Sequence, residues 1–413
     1  MGKKLWNRDY ILMLQGNAVS ALGDILYSVA IGYWVYEKTG SSTLMGIMSS
    51  ISMFMNMIVL PFSGSIIDRC NRKAVIVGMD ALRGVIMLSV GLLAAFGRLS
   101  IPAVLLVAFL ASLCAVFFNP AVDTLMLDII PHDDMVRGQS ILGGVDSFLN
   151  LVGKAISGAL IAWLGVSVVI LLNGVSFLCS AVTEGFVHVP QTCQQGEPVT
   201  IKCTIQNMRI GISTVLRDPH LRLFVFCALA SNLLGAGSMS LMLPFVLGKG
   251  FGVDTYGLIM SVETFGSLLC VVLLGIVKLS PKQRYGFMAA GFIASGIFYI
   301  TGYLADQMHL LAGMLFLGCF FNTLGNSVFS SVLMLALPEQ NRGAILGFFS
   351  AGATGGCALS AVLYGFLCDR YPIEQVFIAG TVLCAPIMLF MCLNKATRQF
   401  MMRQDGQGSS NLP

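Results

Sequence analysis

The sequence predicts an all-α integral membrane protein of twelve transmembrane helices in two six-helix bundles, and three observations predict it. Hydrophobic residues fill 56% of the 413 positions and charged residues only 11%, against roughly 45–50% and 25% in soluble domains. Apolar runs of about 20 residues or more, enough to cross a bilayer as a helix, recur from end to end with the charges gathered between them. A soluble protein of this length would need a polar face on its helices instead. A long polar stretch from about His188 to Asp218 then divides the runs six and six.

Taken in order, the spans read 10–36, 43–67, 74–96, 101–127, 138–164, 167–187, 221–248, 253–277, 285–305, 310–337, 343–367 and 373–394. The first follows Lys3, Lys4 and Arg8 and continues to about Tyr36. That is longer than a signal peptide, and no small-residue cleavage site interrupts it, so it reads as a retained span. Residues 1–187 then form the first bundle, 188–220 a cytoplasmic linker, 221–394 the second bundle and 395–413 a disordered cytoplasmic tail. The linker holds Pro190, Pro198, a QTCQQGEP stretch and a helix-like run from Ile201 to Val215, and is read as a tether. An even number of spans puts both termini on one side. Most of the 24 Lys and Arg residues fall on that side, whereas the opposite loops hold Lys38, Arg98, Lys249 and Arg370. The positive-inside rule makes the richer side cytoplasmic.

Short echoes tie the halves together. Phe117-Phe118-Asn119 in span 4 returns as Phe320-Phe321-Asn322 in span 10, and Arg137-Gly138-Gln-Ser-Ile-Leu142-Gly143 returns as Arg342-Gly343-Ala-Ile-Leu346-Gly347. Parallel repeats about an axis along the membrane normal would leave this trace. Most of the 12 cysteines, such as Cys114, Cys227 and Cys270, sit in apolar spans without ligand spacing, and the histidines lie in loops or at span ends. No metal site and no cofactor is expected. A G-x-x-x-x-G-K-[ST] phosphate loop, an H-E-x-x-H pair and a nucleophile elbow are all missing, which argues against an ATP-driven pump and a membrane hydrolase.

The most specific signal is Gly64-Ser-Ile-Ile-Asp68-Arg69-Cys70-Asn71-Arg72-Lys73 at the end of span 2. It resembles the G-x-x-x-D-R-x-G-R-R/K loop of the major facilitator superfamily, and the resemblance covers essentially the whole chain. Asn71 stands where that loop has glycine, a tolerable change because Asn enters left-handed conformations readily. Asp80 and Arg83 at the start of span 3, with Asp123 and Asp128 at the end of span 4, supply partners for the basic residues, so one cytoplasmic charge network is expected. Lys38-Thr39-Gly40-Ser41, Phe118-Asn119-Pro120-Ala121 and Gly211 to Leu216 look like the bacterial macrolide efflux permeases within the superfamily. That resemblance implies the major facilitator fold and proton-driven export of a small amphipathic molecule from a bacterial cytoplasmic membrane. It also implies a monomer with no nucleic-acid partner, with siderophore or lipid export, nutrient uptake and a transport-inactive receptor as alternatives. Two positions depart from the pattern. Ala111 stands where these exporters carry an arginine, and Gly153-Lys154-Ala155-Ile156-Ser157-Gly158 stands for their G-P-x-x-G-G.

Ionisable groups at bilayer depth are costly and mark functional positions. Asp24 in span 1, Lys154 in span 5 and Glu263 in span 8 are such groups, and Asp146, Asn150 and Lys154 share one face of span 5 by their i, i+4, i+8 spacing. Lys154 is expected to replace the missing cation by pairing with Asp24 or Asp146. Asn232, Asn322 and Asn326 are weaker candidates for substrate contact, as is Trp34 at the outer end of span 1, where Tyr33 and Tyr36 also read as an aromatic belt.

Overall fold

The computed structural model describes residues 5–67, 70–188, 201–277, 279–337 and 342–394. Asp68 and Arg69, the proline-bearing part of the linker and the predicted tail lie outside the described residues. Among the described residues the chain is helical, and eleven stretches are long and apolar enough to cross a membrane. Span 1 is Arg8–Thr39, span 3 Arg72–Ala95, span 4 Ile101–Ile129, span 5 Met135–Leu164 and span 6 Val166–Gly185. Span 8 is Val253–Ile276, span 9 Pro281–Tyr303, span 10 Met308–Ala336, span 11 Arg342–Cys368 and span 12 Ile373–Leu393. The shorter apolar helix Ser42–Ile58 continues as Leu60–Ile67 to make span 2. Span 7 is built from Pro219–Gly235, Gly237–Ser240 and Met242–Gly248.

Polar side chains start several of these helices where the sequence supplies them. The Asn7 side chain accepts from Tyr10 N at 2.8 Å and caps span 1, which ends on Gly40 at φ 62°, a left-handed conformation that glycine takes without strain. Asn71 caps span 3 by accepting from Ala74 N, at φ −68° and ψ 105°. Its backbone is therefore extended, and the left-handed conformation read from the sequence is not used. Asn suits the position because it caps a helix.

The breaks have local causes. Pro61 lacks the N–H that would bond back to Met57, and span 2 interrupts at Val59, next to that missing bond. In span 7 the interruption leaves a backbone donor and a backbone acceptor, and span 11 takes both. Gly237 N donates to Ser360 Oγ at 2.8 Å, and the Tyr364 hydroxyl donates to the Leu234 carbonyl. Irregular backbone at membrane depth is tolerated where protein groups satisfy it in this way.

Two compact units result, one of residues 1–201 with 251–258 and the other of 202–250 with 259–413. Both differ from the sequence-based division. The helix Ile201–Arg217, expected in the linker, belongs with the second unit, because Gly211 seats against the Ala344 backbone and Val215 enters the apolar core around Phe224 and Phe329. The opening turns of span 8 belong with the first unit, because Gly158 seats against the backbone of Val253 and Asp254 while Gly257 seats against the Lys154 carbonyl. Lipid is as apolar as leucine, so such close backbone packing, rather than escape from water, holds helices together in a membrane.

Candidate functional site

The charged loop after span 2 uses one strong pair. Arg72 Nη1 lies 2.5 Å from Asp128 Oδ2, joining the start of span 3 to the end of span 4. Both side chains are mostly covered, and a charge-assisted contact of this length fixes the two helix ends against each other. Gly64 has open space where a Cβ would be, and Lys73 is half-buried one residue along from Arg72. Asp123 is exposed on span 4, in the electrostatic field of Asp146 on span 5.

Asp80 and Arg83 do not extend that pair into a single surface network. They turn into the helix packing instead, with Asp80 0% and Arg83 4% exposed. Arg83 Nη1 is 3.6 Å from Asp80 Oδ1. Its guanidinium lies over the rings of Phe118 at 4.9 Å and Phe177 at 5.3 Å, so two aromatic faces also hold the cation. Glu184 of span 6 completes the group, is 1% exposed, and accepts from Ser180 Oγ at 3.1 Å. Sequence reasoning missed Glu184. The signal that could have found it is an acid close to the end of an otherwise apolar span.

Asp24 keeps solvent-accessible surface midway along span 1. Among its neighbours, the Arg83 cation acts on it and Asn173 of span 6 faces it. Lys154 is half-buried on span 5, below Gly153, which seats against Leu22 and Ile25 of span 1. Asn150 donates to the Asp146 carbonyl at 3.0 Å, so these two do share one face of span 5.

In the second unit Glu263 is 3% exposed, in the electrostatic field of Tyr299 and Tyr303 of span 9. Asn232 accepts from Cys357 Sγ at 3.6 Å, linking spans 7 and 11, and Asn326 donates to Asn322 Oδ1 at 3.0 Å along span 10. Trp34 is half-buried near the end of span 1. Of the residues singled out from sequence, most of the charged ones, with Trp34 and Asn150, therefore fall in the first unit, and Glu263 with Asn232, Asn322 and Asn326 in the second.

Comparison with known proteins gives a consistent picture. The family model of the Major Facilitator Superfamily matches residues 13–277 and 225–408. The MFS-type transporter YkuC of Bacillus subtilis is 24% identical over 312 residues, which are 72% of this chain and 71% of that one. Macrolide efflux protein A of Streptococcus pyogenes is 21% identical over 186 residues, 45% of this chain and 46% of its own length. Among solved structures, an inward-facing bacterial homolog of the human lysosomal transporter Spinster superposes with a TM-score of 0.73 at 13% identity, covering 96% of this chain and 98% of that one.

Proposed function

Because this chain belongs to the Major Facilitator Superfamily, and so is a multi-pass membrane transporter and not an enzyme, we propose that it exports a small amphipathic molecule, of macrolide type or similar, in exchange for protons. The membrane would be the bacterial cytoplasmic one, with both chain ends on the cytoplasmic side. One observation carries the coupling to protons: Asp24 is exposed midway along span 1, the one charged residue between Asp9 and Glu37. An acidic side chain at the bilayer centre costs about 2.5–3.5 kcal/mol on insertion scales, so such a group faces water and has a use. The cargo class rests on the likeness to macrolide efflux protein A, together with the aromatic and amide side chains of the second unit, which suit a bulky ligand with few polar groups. Protonation of Asp24 would cancel its interaction with Arg83 and so change the balance between the two ends of an alternating-access cycle.

The test is accumulation of a labelled macrolide in efflux-deficient bacteria expressing the native chain or Asp24→Asn, with and without a protonophore. Lower accumulation with the native chain, abolished by the substitution and by the protonophore, is the expected result. Accumulation equal to that of empty cells removes macrolides as cargo. Export that persists in Asp24→Asn removes the aspartate from coupling.

A further inference from the structure

We infer that Asp80, Arg83 and Glu184 form a proton-holding site inside the first unit, reached through Asp24. The inference rests on the proton-coupled reading above and deepens it by moving the stored proton away from Asp24 to a buried group on spans 3 and 6.

The geometry gives one cation to two acids. Asp80, Arg83 and Glu184 are all more than nine-tenths buried. At 3.6 Å the Arg83 contact with Asp80 is longer than a hydrogen bond, and the guanidinium is held as much by the Phe118 and Phe177 rings as by the acid. Ser180 satisfies only Oε1 of Glu184, while Glu184 Oε2 and both carboxylate oxygens of Asp80 have no hydrogen-bond partner among the described residues. Two ionised carboxylates would leave this dry site with an uncompensated negative charge. Neighbouring acids in a low-dielectric site do not both ionise, and one proton between them cancels the excess.

The surrounding groups give the proton a route. From span 1 the site is faced by Asp24, from span 4 by Cys114 and Phe118, and from span 6 by Phe177 and Ser180, while Tyr27 and Asn173 flank Asp24. Span 1 carries glycine where it meets them. A Cβ on Gly16 would lie 3.2 Å from Glu184 Oε1, and Gly23 leaves the space that Asn173 and Ser176 occupy. Asp24 follows Gly23 directly, and its field reaches both Arg83 and Asp80. A proton taken from water by the Asp24 carboxylate passes to Asp80 or Glu184, leaving Asp24 ionised again and the inner site neutral. Release reverses the step.

Charge counting makes the test sharp, and infrared spectroscopy of the purified full chain in lipid nanodiscs reads it without any substrate. At neutral pH the native protein is expected to show the C=O stretch of a buried protonated carboxyl group. Asp80→Asn and Glu184→Gln should each lose it, since the remaining acid alone balances Arg83. Arg83→Gln should about double it. Asp24→Asn should retain the band but slow its isotope shift in heavy water at least ten-fold. The two acid variants stand in for each other should one fail to fold. A native protein without the band, or its absence from the native-minus-variant difference spectra of the two acid variants, in which any Glu263 contribution cancels, overturns the site; native exchange rates in Asp24→Asn overturn the route. Because no cargo is involved, a failed macrolide assay with the band pattern intact sinks the export reading alone.

Discussion

Phe118 of the first unit and Phe321 of the second occupy matching places in the internal repeat, and they are covered by different things. Over Phe118 lies the Arg83 guanidinium, with Asp80 and Glu184 behind it. Over Phe321 lies another ring, Phe298 of span 9, at 5.5 Å and nearly parallel. The difference extends through each unit. In the first unit spans 3 and 6 are drawn together by glycines, with Gly84 and Gly174 seated against Leu178 and Leu88, and the charges are enclosed between them. In the second it is spans 9 and 10 that approach closely, at Gly291 and Gly325, and the interior holds Phe245 stacked on Phe377 with Tyr303 edge-on to both. The ion pairs of the second unit sit at its edge, where Lys249 meets Glu374 at 2.6 Å and Asp306 at 3.3 Å, while Glu263 is its one buried acid among the described residues. The first unit encloses a charged cluster in its interior, and the second fills its interior mainly with aromatic rings.

The largest expected effect breaks this comparison at its centre. Arg83→Ala strips the cation from two buried acids, and leaving a buried charge without its partner costs about 3–5 kcal/mol. Phe298→Leu, its counterpart in the second unit, removes the stacked ring but keeps apolar bulk, and costs about 0.5–1.5 kcal/mol. Thermal unfolding of the two purified variants in the same detergent should show a clearly greater loss for Arg83→Ala. Equal losses would mean that Arg83 serves as another packing group over Phe118.

Next in size is the broken helix of span 7. Ser360→Ala removes the acceptor of the Gly237 N–H, and a buried backbone donor left without a partner costs about 1–3 kcal/mol. Thermal unfolding should show that loss, and limited proteolysis should open the second unit near residues 235–241 before the first. A variant as stable as the native chain would show that the break is satisfied by something other than span 11.

What the sequence made legible follows from this contrast. Apolar run length placed the spans to within about a turn, because the bilayer imposes that length on every helix regardless of its neighbours. The charged loop was legible too, since Gly64, Arg72 and Lys73 occur in an order rarely met by chance, and Arg72 does reach Asp128. The buried group was not. Asp80 and Arg83 stand eight and eleven residues beyond Arg72 and read as more of the same loop; only the turn of span 3 toward Phe118 and Phe177 separates them. Glu184 is enclosed because Gly16 of another span lies against it, a cause more than 160 residues away in the chain. The break in span 7 was hidden for the same reason. Its proline is visible at position 244, but the groups that satisfy the broken backbone are Ser360, which accepts from Gly237 N, and Tyr364, which donates to the Leu234 carbonyl.

The smallest effect tests the one position where the two units do the same job with different residues. Span 3 starts on Asn71, whose side chain accepts from Ala74 N, and span 9 starts on Ser280, whose own N–H donates to Gln283 Oε1 at 2.9 Å in a capping box. If Asn71 is there to cap the helix, Asn71→Ser places in the first unit the residue type used by the second, and the two are near equals as caps. Stability should then change by no more than a few tenths of a kcal/mol, while Asn71→Ala loses about 0.5–2 kcal/mol. If Asn71 is instead there for a left-handed backbone, serine should fare little better than alanine, because neither enters that conformation as asparagine does. Unfolding temperatures of Asn71→Ser and Asn71→Ala measured side by side decide it: a native-like serine variant beside a weakened alanine variant is the signature of a cap.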